Sequence, residues 1–188
     1  MMHPRYKNIF ILGTGRCGTT SFIHACKHIK NYTSGHETRV AHIGEARLLY
    51  PDYHIEADNR LSWFTGRLEE KFGDQAFYVH LLRNPEKVAA SLSKRLFKGG
   101  IITAYGDGIL MPRANPGVAT NDALKISRDY VYTVTKNIEL FLKNKSNKMI
   151  IWLEEIEDKF PEFTERVGAD ANLEEIRKEL KTPKNTSS

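Results

Sequence analysis

A short apolar run at residues 8–12 stops on a glycine-rich turn, Gly13-Thr14-Gly15-Arg16-Cys17-Gly18. Helical spacing begins straight after it, with Phe22, Ile23, Cys26 and Ile29 on one face of residues 19–30. A buried strand that enters a helix through glycines constrains this chain more than any other feature. Backbone N–H groups converge in such a turn and the helix N-terminus adds positive potential, so the turn makes an anion site. A tight turn with no ligand is the bland alternative. Three glycines, Arg16 and the pair Thr19-Thr20 gathered at one helix start argue against it.

Gly13, Gly15 and Gly18 fit G-x-G-x-x-G, the fingerprint of a dinucleotide site, which is a weak signal alone. Gly13 and Gly18 also have the outer spacing of a nucleoside-triphosphate loop. Such a loop needs a lysine after its last glycine, and Thr19 stands there. Arg16, inside the loop, can take the cationic role. Cys17 resembles a phosphatase nucleophile by position, but the arginine expected six residues on is Ile23.

Further along, the spacing predicts a short strand at 32–34, helices at 40–50 and 59–72, and a second buried strand at 77–82. A helix at 86–97, a long one at 121–143, a strand at 149–153 and a helix at 173–180 follow. Strands alternating with helices imply an α/β fold around a mainly parallel sheet. The chain of 188 residues suits one compact domain spanning 1–188. Residues 98–117 are rich in glycine and proline and read as a lid loop over a substrate site. Residues 181–188 read as a tail.

The second buried strand ends Leu81-Leu82-Arg83, where a nucleoside triphosphatase needs a metal-binding aspartate. Ser91 lies eight residues beyond Arg83, two turns along the next helix. Arg83 offers a fork of donors suited to a phosphate. The loop core Arg16-Cys17-Gly18-Thr19-Thr20 and this Arg/Ser pair together resemble the sulfotransferases that use 3′-phosphoadenosine 5′-phosphosulfate (PAPS). The resemblance implies a P-loop-type three-layer α/β/α fold. It assigns Gly15, Arg16, Cys17, Gly18, Thr19 and Thr20 to the 5′-phosphosulfate, and Arg83 and Ser91 to the 3′-phosphate. It implies adenosine 3′,5′-bisphosphate (PAP) as product and an acceptor hydroxyl on a sugar, a small molecule or a peptide tyrosine. Lys184, in the tail, is a further candidate cofactor contact.

Gly35-His36-Glu37-Thr38-Arg39 is similar to the Gly-Glu-Glu-Thr-Arg segment of the tyrosylprotein sulfotransferases. That similarity makes Glu37 the base and Arg39 a substrate contact. His36 departs from the pattern, and histidine is itself the base of the small-molecule enzymes, so both stand as candidates beside Arg16 as the stabilising cation. The polar segment 53–60 offers His54 and Glu56 to the acceptor, or a helix cap through Asp58 or Asn59.

A net charge of +5 favours anionic ligands, yet no Lys/Arg block argues for nucleic acid. No metal-ligand cluster is legible, and the scheme requires none. Cys17 and Cys26 are too few to staple a secreted fold, and no apolar run is long enough to span a membrane. With no apolar leader at the N-terminus, the cytoplasm is the expected compartment. Two alternatives differ in class: a P-loop kinase of a small molecule, and a non-catalytic module binding nucleotides or polyanions.

Overall fold

The computed structural model describes residues 3–111 and 122–182. Its centre is β1 (Asn8–Leu12), with all five residues buried. Burial on both faces explains why this strand reads as a continuous apolar run instead of an alternating one. β2 (Thr33–His36), β3 (His54–Ala57), β4 (Phe77–Leu82) and β5 (Lys148–Trp152) complete a five-stranded sheet in the order β2-β3-β1-β4-β5. Every pairing is parallel.

The chain leaves β1 toward one edge of the sheet and later crosses to the other. The C-terminal end of β1 is therefore a topological switch point, where open α/β sheets bind ligands. α1 (Thr19–Cys26), α6 (Ile156–Val167) and α7 (Leu173–Lys181) lie on the face that carries Ile9, Ile11, Val79 and Leu81. α2 (Thr65–Phe72), α3 (Pro85–Ser93), α4 (Ile101–Tyr105) and α5 (Ala123–Leu142) lie on the face of Phe10, Leu12 and Tyr78. This is a three-layer α/β/α sandwich of the P-loop type. The buried stripe of α5, Tyr130, Val131, Val134, Ile138 and Leu142, has helical spacing. Asp122 caps its start by accepting from the N–H groups of Leu124 and Lys125. Asn84 caps α3 in the same way, with Pro85 in the first turn.

The structure departs locally from the sequence reading. Residues 40–50 form a single 3₁₀ turn, Gly44–Leu48. Val40, Ile43 and Leu49 are exposed there, so no apolar stripe reaches the core, and Gly44 is left-handed at φ 59°. β3 falls inside a segment read as polar and irregular. The expected helix 59–72 breaks into a 3₁₀ turn, Asn59–Trp63, and α2. α6 was not legible because Pro161 sits inside it. The described part of the expected lid, 98–111, holds α4 and a wide turn, Gly106–Leu110. No described helix is long and apolar enough to cross a membrane.

Candidate functional site

The glycine turn after β1 becomes a loop through three left-handed residues, Gly15 (φ 78°), Arg16 (φ 57°) and Gly18 (φ 97°). At Gly18 a Cβ would also lie 2.4 Å from Leu153 Cδ1, so that any other residue would both strain the backbone and displace Leu153. The loop is anchored from beneath. Ser62 Oγ donates to the Gly13 carbonyl (3.2 Å) and Tyr130 Oη to the Thr14 carbonyl (3.2 Å). Cys17 points into the core, 1% exposed, and burial pushes its thiol up to about 11. That removes the phosphatase alternative, which needs an exposed thiolate.

Arg83 and Ser91, far from the loop in sequence, converge on it. Arg16 Nε donates to Ser91 Oγ at 3.0 Å, and Arg83 Nη1 donates to the Arg16 carbonyl at 3.1 Å. Burial, then repulsion from Arg95 and from Arg83, lowers the basicity of Arg16. Gathering guanidiniums in this way is unfavourable in the apo protein and favourable once an anion joins them.

The opposite wall is built where β2 ends beside β3. His36 Nε2 lies 3.1 Å from Thr19 Oγ1 at the start of α1. Glu37 takes a left-handed conformation (φ 55°), which costs a non-glycine residue roughly 1–2 kcal/mol. Its N–H donates to the Ala57 carbonyl (2.9 Å), and its Oε2 accepts from Arg60 Nη1 (3.0 Å). Asp58 caps the turn that carries Arg60, accepting from its N–H at 2.8 Å. Asp58 itself is fully buried in an ion pair with Arg47, whose other arm donates to Tyr50 Oη (3.1 Å). Burial opposes the Arg47 charge, but Asp58 outweighs it and holds the guanidinium above its ordinary range.

Between the two walls lies a cavity of about 270 Å³. Gly15, Arg16, Thr19 and Thr20 line it on one side, and His36, Glu37, Asn59 and Arg60 on the other. Leu92, Arg95, Phe97, Ile101 and Ile102 close it. α4 is held over this mouth by Tyr105, whose ring packs on Trp63 (5.8 Å) and Tyr130 (5.4 Å) and whose hydroxyl bonds Asp129.

The structure thus brings together the loop residues, His36, Glu37, Arg83 and Ser91. It does not bring in His54 and Glu56, a correction to their expected place beside the acceptor. Both are buried in β3, and the Glu56 oxygens are taken by Thr38 and His54. Arg39 is half-buried against His42 and is not part of the cavity wall. Lys184 lies outside the described residues. Sequence reasoning missed Arg95 and the apolar closure, and singled out Asn59 and Arg60 only as part of the polar segment 53–60. Arg95 carried a signal, one turn beyond Ser91.

No family model and no curated protein sequence matches this chain. Solved structures do. A mouse sulfotransferase, SULT7A1, complexed with PAP aligns with a TM-score of 0.59 at 16% identity. That alignment covers 95% of this chain and 66% of the mouse protein, so the chain spans just under two thirds of that relative. The sulfotransferase domain of the Synechococcus PCC 7002 olefin synthase aligns with a TM-score of 0.61 at 13% identity, covering 97% of this chain and 80% of the domain. The chain therefore has the sulfotransferase fold.

Proposed function

We propose that this chain is a sulfotransferase that moves a sulfuryl group from PAPS to an acceptor hydroxyl. The observation that carries this reading is the Arg83–Arg16–Ser91 assembly. It joins two motifs distant in sequence through Arg16, which lines one cavity together with the carboxylate of Glu37 and the imidazole of His36.

The residues fit a doubly anionic nucleotide. Arg16 feels the repulsion of Arg95 and Arg83, which a bound phosphate would relieve. Gly15, Gly18, Thr19 and Thr20 present the turn and the start of α1 to the 5′ end. Arg83 and Ser91 hold the 3′-phosphate. When bound, PAPS supplies a sulfuryl group activated by its anhydride linkage to phosphate. Arg16 and the N–H groups at the start of α1 stabilise charge that develops on the leaving side. Glu37 takes the proton from the acceptor hydroxyl, and Arg60 fixes the direction of its carboxylate. His36 orients the Thr19 hydroxyl through the 3.1 Å contact. Leu92, Phe97, Ile101 and Ile102 exclude water from the mouth.

Calorimetric binding of PAP against ADP tests the donor. PAP should bind at least about tenfold more tightly, a gap of about 1.4 kcal/mol, because Arg83 and Ser91 engage the 3′-phosphate. Equal affinity for ADP would sink the reading in favour of a small-molecule kinase. Transfer from radiolabelled PAPS to a panel of 4-nitrophenol, a tyrosine peptide and N-acetylglucosamine tests the chemistry. Tight PAP binding with no transfer to any of them would favour the non-catalytic module.

A further inference from the structure

Glu56 is fully buried in the sheet, yet it faces the turn that carries Glu37. Its Oε1 accepts from the Thr38 N–H at 2.7 Å, and its Oε2 accepts from the Thr38 hydroxyl at 2.8 Å. The same Oε2 lies 2.9 Å from His54 Nε2. His54 Nδ1 is in turn 2.8 Å from Thr33 Oγ1, at the start of β2. A buried carboxylate with three partners of this kind is costly to build and stiff once built.

The turn it grips is the strained one. Glu37 is left-handed, and the residue after it is clamped at both its backbone and its side chain. Gly35 leaves room for that clamp: a Cβ there would lie 2.3 Å from Thr38 Cγ2 and 3.1 Å from Glu56 Oε2. Sequence neighbours on β3 complete the grip, with the Ala57 carbonyl on the Glu37 N–H and Asp58 on the N–H of Arg60.

We propose that Glu56 is a positioning residue for Glu37. It holds the left-handed turn through Thr38, so that the Glu37 carboxylate stays aimed into the cavity. The proposal rests on the reading of Glu37 as the base. Glu56 is buried and does not line the cavity. It acts on the rate of the chemical step and leaves donor binding alone.

The test compares Glu37→Gln, Glu56→Gln, the double variant, Thr38→Val and Thr38→Ser. Each is assayed with PAPS and the panel acceptor that turns over, and PAP affinity is measured in parallel. Thr38→Val keeps the shape of the side chain and removes one clamp, so it serves if Glu56→Gln folds poorly. Glu56→Gln and Thr38→Val should lower kcat by about tenfold to a hundredfold, the penalty of a base displaced by a fraction of an ångström, with PAP affinity within about twofold. Thr38→Ser, which keeps the hydroxyl, should restore the rate. In the Glu37→Gln background, Glu56→Gln should cost nothing more. A second readout needs no turnover: carbodiimide labelling of the Glu37 carboxylate should speed up in Glu56→Gln as the turn loosens.

Three outcomes overturn the proposal in distinguishable ways. Full activity in Glu37→Gln removes the base reading itself and the positioning role with it. A slow Glu37→Gln with a wild-type Glu56→Gln, or with losses that multiply in the double variant, removes positioning and leaves the base. A PAP affinity that falls along with kcat marks Glu56 as part of the general framework only.

Discussion

The two walls of the cavity are built on opposite electrostatic plans. The wall proposed to hold the donor, the donor wall, assembles like charges: Arg16 is weakened as a base by burial and by Arg95 and Arg83, and Ser91 accepts from it. The wall proposed to carry the base, the base wall, pairs its charges internally, Glu37 with Arg60 and Asp58 with Arg47, and ties Glu56 by hydrogen bonds to Thr38 and His54. The difference teaches which wall waits for a ligand. A wall with unrelieved repulsion gains from an anion, while a wall whose charges are already paired gains only orientation.

Removing charge should therefore hurt the base wall in stability and the donor wall in affinity. The largest effect is expected at Asp58. Asp58→Ala leaves Arg47, 3% exposed, without its carboxylate, and should cost about 3–5 kcal/mol in urea unfolding. A loss below about 1 kcal/mol would mean that water reaches Arg47 and that the base wall is not sealed.

On the donor wall the sign reverses. Arg83→Ala should weaken PAP binding about a hundredfold, close to 2.7 kcal/mol, while the ligand-free protein keeps or slightly gains thermal stability. Equal losses in both would show that Arg83 braces the Arg16 carbonyl and does little else.

The sheet between the walls supplies a pH test. His80 on β4 is buried with Nε2 unpartnered among the described residues, and burial pushes its pKa down to about 4, with Glu139 opposing. The folded protein thus prefers neutral His80, while the unfolded chain binds a proton near the ordinary value of 6.5. Above that value both states are neutral and His80 imposes no penalty. Stability should fall as pH drops from about 6.5 toward 4, by on the order of 2 kcal/mol between pH 7 and 5. His80→Leu should flatten that limb in urea titrations at several pH values, and an unchanged limb would show that His80 is not its source.

The smallest effect belongs to Cys17. With its thiol buried and its pKa pushed up to about 11, iodoacetamide at neutral pH should leave PAP binding unchanged. Rapid inactivation would reveal a loop that opens far more than its anchors at Ser62 and Tyr130 suggest.

Much of the donor wall was legible because it is encoded locally. Glycines, Arg16 and the threonines stand next to one another, and a loop between a strand and a helix needs few long-range facts to be recognised. Arg83 and Ser91 were legible as a spaced pair on one strand–helix unit. The base wall was legible only at Glu37 and His36. His54 and Glu56 read as polar loop residues because a buried strand is ordinarily apolar, and only a satisfied hydrogen-bond network makes a glutamate tolerable there.

By itself, then, the sequence determined the alternation of strands and helices, the anion-binding turn after β1 and the absence of the lysine and aspartate of a triphosphatase. Tertiary structure alone decided that Arg16 bridges Ser91 and Arg83, that Arg60 meets Glu37, and that Glu56 turns inward to grip Thr38. Local features follow from backbone propensity and spacing, which neighbours in the chain specify. Pairings between residues tens of positions apart depend on which strands lie side by side, and that is settled by the packing of the whole sheet.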